Sequence, residues 1–235
     1  MSLFSNLYSN PNPQEQPPYH PVWNNVMLLF LTNFKLIPFF IPSIVCMGLM
    51  LMFGGMIFFA AGLLLLLPAG PAITAMYDVS YQLVREIDRH ERRRFFQSYR
   101  SNFRQGIASM AIQLPFIASL LMLMLVQMEK PLWVTIFLIL GGVLLMMFSI
   151  LAFSQVALVD LPLKDIWKNA LLLIPLTHWR SLVGALAHLV FLMALYRWIA
   201  VTVLLFLFAG PAVLICWTAK TLWTGLEPLL LSHEK

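Results

Sequence analysis

Charge is what this sequence is short of. Only 11% of its 235 residues are Asp, Glu, Lys or Arg, whereas 60% are apolar. A soluble domain carries about 25% charged and roughly 45–50% apolar residues. A water-facing surface cannot be built from so few charges, so lipid is the solvent for much of the chain. Cysteine is scarce as well. Cys46 and Cys216 each lie inside an apolar run, where they read as small core or lipid-facing residues rather than as a redox or metal pair. No basic residue precedes Lys35, so the beginning of the chain lacks the charged region that opens a secretory signal peptide. No His/Cys/Asp/Glu group has metal-ligand spacing, and no phosphate loop or dinucleotide fingerprint occurs. No nucleophile sits in a recognisable catalytic motif, and no apolar run holds a carboxylate cluster. These absences argue against metal chemistry, hydrolysis and ion coupling. The chain reads as non-enzymatic, with no cofactor.

What is present is apolar length. After a leader, residues 1–21, in which Pro11, Pro13, Pro17, Pro18 and Pro21 oppose helix formation, long runs begin. Crossing a bilayer takes about 20 apolar residues in a helix. Six runs qualify: Leu36–Phe53, Ile57–Met76, Ile107–Met128, Leu132–Val156, Trp179–Leu195 and Ile199–Trp217. The expected fold is therefore all-α, a polytopic bundle of about six spans. The count falls to five if the first pair is one broken helix with an interfacial partner. With the N-terminus inside, thirteen of the fifteen basic residues fall on the cytoplasmic side, leaving Lys130 and Arg197 outside. That bias places the protein in the cell membrane with both termini cytoplasmic.

The chain also resembles itself. Val22-Trp23-Asn24-Asn25 through Thr32-Asn33-Phe34-Lys35 is similar to Ile166-Trp167-Lys168-Asn169 through Thr177-His178-Trp179-Arg180. Ala69-Gly70-Pro71-Ala72 then returns as Ala209-Gly210-Pro211-Ala212, and a weaker copy runs from Phe96 to Asn102-Phe103-Arg104. The expected organisation is a single membrane domain over 22–228, with units at about 22–84, 95–157 and 166–224, and a tail over 229–235. Each unit is an amphipathic lead-in followed by a helical hairpin.

Several residues stand out as candidates. On a helical wheel Phe95, Phe96, Tyr99 and Phe103 share one arc, while Arg93, Arg94, Arg100 and Arg104 face away and Arg92 borders the aromatics. That pattern predicts an interfacial helix, apolar face in lipid, with arginines at anionic headgroups or a docked partner. A second amphipathic stretch covers Leu163 to Ile174. Gly70-Pro71 and Gly210-Pro211 sit inside the second and sixth spans and predict helix breaks. Asp78 and Lys220 lie near the same interface and are expected to pair. His188 is the clearest polar residue within a span, and a neutral histidine bonded to a neighbour is the simpler account of it. No nucleic-acid-binding pattern occurs.

The set Gly70-Pro71-Ala72-Ile73-Thr74-Ala75-Met76-Tyr77, Leu83-Val84-Arg85, Phe95-Phe96 and Asn102-Phe103-Arg104-Gln105 resembles the signature of the YesL-like bacterial membrane proteins, a family of unknown function. Val159-Asp160-Leu161-Pro162-Leu163 and Trp167-Lys168-Asn169-Ala170-Leu171-Leu172-Leu173 are similar to its second half, so the resemblance covers roughly residues 25–225. The resemblance implies an accessory to carbohydrate uptake, associated with an ABC importer, and carries over no catalytic residue. The alternatives are a small permease running past His188 and a membrane organiser that binds anionic lipid.

Overall fold

Long apolar runs become helices in lipid because each backbone N–H and C=O must find its partner within the segment. The computed structural model describes residues 21–85, 91–126, 132–197, 215, 217 and 218, and among them no strand forms. Eight helices follow in order: α1 (Pro21–Phe53), α2 (Met56–Leu64), α3 (Ala69–Arg85), α4 (Glu91–Ser101), α5 (Phe103–Val126), α6 (Leu132–Leu158), α7 (Leu163–Leu176) and α8 (His178–Arg197).

The first lead-in and the first expected span are fused. α1 runs 33 residues through Pro38 and Pro42, a length of ~50 Å at about 1.5 Å per residue. It stops at Gly54, whose φ of 68° lets the chain turn left-handed while its N–H reaches the Met50 carbonyl at 2.7 Å. α2 then returns antiparallel to α1, with the Ser43 hydroxyl donating to the Gly62 carbonyl at 2.7 Å. α5, α6 and α8 also alternate in direction. The Ser149 hydroxyl of α6 bonds the Gln113 side chain of α5, and α8 places Gly184 against Ile150 and Leu189 against Gly142.

Four segments are long and apolar enough to cross a membrane: Leu31–Phe53, Met56–Gln82, Phe103–Leu123 and Leu132–Leu158. α7 and α8 add a fifth if their bend of 99° is one broken span. The expected fifth span lies in α8. The sixth, Ile199–Trp217, falls outside the described residues except for Ile215 and Trp217, so the described chain supports four or five spans rather than six.

The break in the second span differs from expectation. The helix loosens at residues 65–68, where Leu66, Leu67, Ala69 and Gly70 each donate to the carbonyl three residues back. Gly70 and Pro71 instead form the first turn of α3. Pro68 and Pro71 explain the shift, because a proline fits a helix start, where an N–H has no helical partner to lose. The Leu67 carbonyl that Pro71 leaves unbonded is taken by the Gly70 N–H at 3.1 Å. The second Gly-Pro pair, Gly210-Pro211, lies outside the described residues.

α3 is the hub. Ala69, Ala72, Ala75, Met76, Tyr77 and Val79 are buried, in a cluster with Leu36 of α1, Phe95 of α4, Met110 of α5 and Phe153 of α6. A second cluster joins α6 (Val143, Met147, Ile150, Leu151, Ala152) to Ala170 of α7 and Ala185 of α8.

Candidate functional site

Apart from Arg197 at the far end of α8, charge in the described helices gathers at one end of the bundle. No Asp, Glu, Lys or Arg occurs over residues 36–77, 105–126 or 132–159. Because the helices alternate in direction, the start of α5, the end of α6 and the start of α8 meet at that end. The arginines and aspartates near those termini surround an open cleft of about 810 Å³. Its walls are Asp78 of α3, the α4–α5 joint from Arg100 through Gln105, and the last turn of α6 with its exit, Val156 through Asp160.

Next to Gln105 of the cleft wall, one contact sets how closely α3 and α5 approach. α3 and α5 cross backbone to backbone at Gly70 and Gly106. A methyl group on Gly70 would strike the Gly106 carbonyl and lie 2.9 Å from Met110 Cβ, and one on Gly106 would lie 2.6 Å from Pro71 Cα. Small residues allow such approach, and dispersion between the two backbones holds it. Gly106 drew no attention in the sequence. Its signal was faint, a small residue one turn before the small, buried Ser109.

The joint between α4 and α5 turns at Asn102, whose Nδ2 donates to Ser98 Oγ at 3.3 Å. Gln105 Nε2 reaches across to the Leu161 carbonyl at 3.2 Å and ties the start of α5 to the turn that carries Asp160. Asp78 accepts from Gln82 Nε2 at 2.9 Å. Its expected partner, Lys220, lies outside the described residues. Arg100, Arg104 and Asp160 are exposed, and among the described residues none of the three takes part in a hydrogen bond or ion pair.

The aromatic arc of α4 does not act as one lipid-facing surface. Phe95 is 0% exposed in the central cluster, with the Lys35 ammonium 5.8 Å above its ring, whereas Phe96 and Phe103 point outward. Tyr99 stacks on Phe39 of α1 at 4.9 Å, and burial pushes its phenol pKa up. The reason is rotational. Residues 95 and 99 share a stripe of the helix, while residue 96 stands about 100° away, so packing α4 on α3 and α1 divides the arc. The side chains of Arg92, Arg93 and Arg94 lie outside the described set.

Elsewhere the spans hold polar groups. His188 Nδ1–H donates to the Gly184 carbonyl at 2.7 Å, one turn back in α8, which fixes the tautomer and orients the ring. Gln113, 2% exposed, accepts from Ser149 through its carbonyl oxygen, and its Nε2 has no partner. Ser149 also bonds the Leu145 carbonyl at 2.8 Å. One hydroxyl proton cannot serve both acceptors, so this pair is incompletely satisfied whichever way the amide is turned. It too was not singled out in the sequence. Among the described residues no group of three or more His, Cys, Asp or Glu is placed to hold a metal ion.

Residues 22–126 match the family model described as "Protein of unknown function, DUF624". This is the YesL-like family, and the match ends before the second half over which the sequence also resembles it. No curated protein and no solved structure matches the chain.

Proposed function

We propose that this chain, which belongs over residues 22–126 to the DUF624 family, is a non-enzymatic accessory subunit of a membrane complex. In this reading it is a multi-pass protein of a bacterial cell membrane, with its charged end and both termini in the cytoplasm. The bias of basic residues toward that end supports this orientation. Its partner is a carbohydrate ABC importer, the class of complex that the family resemblance implies. Anionic headgroups gather around the exposed arginines of the α4–α5 region, each worth about 1 kcal/mol near such a surface.

The observation that carries the reading is the uncovered apolar surface at the other end of the bundle. α1 leaves Leu51 71%, Met52 77% and Phe53 69% exposed, and α6 leaves Leu132 75% and Trp133 71% exposed. Lipid covers such helices without penalty, and the same surface is open to spans of another protein. Affinity purification from the native membrane in mild detergent, followed by mass spectrometry, tests it. Stoichiometric recovery of importer subunits is the expected result. Recovery of the chain alone, with unchanged sugar uptake when the gene is deleted, would overturn it.

A further inference from the structure

The cleft at the charged end has walls of both signs. Arg100 and Arg104 line the side formed by the α4–α5 joint, while Asp78 and Asp160 line the sides formed by α3 and the exit of α6. Surface charges of opposite sign that share a cleft commonly pair with each other. Here Arg100, Arg104 and Asp160 form no ion pair or hydrogen bond among the described residues. The tether from Gln105 to the Leu161 carbonyl and the backbone contact at Gly70 and Gly106 fix how the walls sit relative to one another.

Between the charges the lining is mixed, with Ser101, Asn102 and Gln105 beside apolar residues. Val156, Ala157, Leu158 and Val159 line the α6 side, and Phe103 lines the rim. The cleft also lies where the uncharged spans give way to charged residues, the depth at which lipid headgroups sit. An occupant that meets both walls carries an anion and a cation, and an apolar body suits the valine, alanine, leucine and phenylalanine of the lining.

We infer that this cleft binds the headgroup of an aminophospholipid, a phosphodiester joined to a primary ammonium. The phosphodiester oxygens accept N–H bonds from the Arg100 and Arg104 guanidinium groups, whose fork geometry suits phosphate. The ammonium donates to the Asp160 carboxylate. Choline lipids supply the same phosphate but have no N–H to offer a carboxylate. Glycerol lipids supply the phosphate and no cation, leaving Asp160 facing an anion. The site thus discriminates by the amine, unlike the diffuse attraction of anionic lipid to arginines, which ionic screening weakens.

The full-length chain, reconstituted in nanodiscs with equal phosphatidylethanolamine, phosphatidylcholine and phosphatidylglycerol of one acyl composition, tests this. Lipid retained after transfer to mild detergent is then quantified. The expected result is about tenfold enrichment of the ethanolamine lipid over each of the others, the worth of one charge-assisted hydrogen bond. Asp160→Asn should bring choline-lipid retention level with ethanolamine-lipid retention. Arg100→Gln with Arg104→Gln should abolish selective retention of all three. Lys164→Gln, an exposed charge outside the cleft, should change nothing, and monodisperse elution confirms that each variant is folded. Equal retention of the three lipids by the unaltered chain, enrichment of the glycerol lipid, or an effect of Lys164→Gln equal to that of Asp160→Asn would overturn the assignment. Soluble glycerophosphoethanolamine separates the two sources of this group. Displacement of the enriched lipid shows that the headgroup alone binds the cleft, and enrichment without displacement shows that the anchored lipid is the ligand.

Discussion

At the charged end of the bundle α6 buries every residue from Ile150 to Val156, including Ser154 and Gln155. At the other end the same helix exposes Leu132, Trp133, Ile136, Phe137, Ile139, Leu140 and Leu144. α1 repeats the contrast, with Thr32, Asn33 and Leu36 buried near one end and Leu51, Met52 and Phe53 bare at the other. The contrast follows from what lipid can and cannot replace. A leucine turned toward lipid loses nothing, because lipid tails are as apolar as a protein core. A serine, glutamine or backbone carbonyl turned toward lipid loses its hydrogen bonds, so polar and small residues draw helices together. Tight packing at the charged end coincides with buried hydroxyls and amides and with the contact of Gly70 and Gly106.

That contrast can be broken by mutation, and the largest effect belongs to Phe95. Phe95→Ala should destabilise the protein by about 3–5 kcal/mol, because a wholly buried ring leaves a cavity at the hub. Phe137→Ala, at 60% exposure, should cost well under ~1 kcal/mol. Unfolding in detergent micelles, followed by fluorescence, reads both, and equal costs would end the distinction between the two ends.

The glycines come next. Gly106→Ala forces α3 and α5 apart and should cost about 1–3 kcal/mol, since the obstructing atoms are backbone. Gly141→Ala, toward the open end, meets only Leu120 Cδ2 at 3.3 Å, the tip of a flexible side chain. There the helical preference for alanine, about 1 kcal/mol, should make the change neutral or stabilising. The melting temperatures of the two variants should move in opposite directions or differ by several degrees.

The smaller effects sharpen the comparison. Gln113→Met combined with Ser149→Ala removes an incompletely satisfied pair and should leave stability unchanged or raise it by about 1 kcal/mol. A loss of that size would instead mean that a buried water completes the pair. Smallest is the coupling between Asp78 and Lys220. A double-mutant cycle with Asp78→Asn and Lys220→Met should return a coupling under ~1 kcal/mol, the size usual for ion pairs near a surface, and zero coupling would remove the pairing.

Much of the architecture was legible along the chain. Uninterrupted apolar runs marked the four long spans, because helix is the form in which a charge-free segment satisfies its backbone in lipid. The amphipathic pattern from Leu163 marked α7, and of its apolar arc Ile166 and Ala170 are buried while Leu171 is 60% exposed. The three similar segments that end at Phe34-Lys35, Phe103-Arg104 and Trp179-Arg180 were less informative than their likeness suggested. The helix runs unbroken through Asn33, turns at Asn102 and bends sharply after Thr177. Pro175, inside α7, and the Thr177 hydroxyl bonding the Leu173 carbonyl at 2.7 Å end α7 where α1 continues.

Of the cleft, the sequence marked Arg100, Phe103, Arg104 and Asp78 as residues of interest but gave no reason to set them beside Asp160. Residues 78, 104 and 160 are far apart along the chain, and only the return of α6 to the charged end brings them together. Solvent class, helix content and the one-sided distribution of charge follow from composition and order, because transfer between water and lipid is decided residue by residue. Which face of α4 turns inward, where the second span breaks and which charges share a cleft were decided by tertiary packing. A helix has several faces of similar apolarity, and the glycines and hydroxyls of its neighbours select the one that is buried.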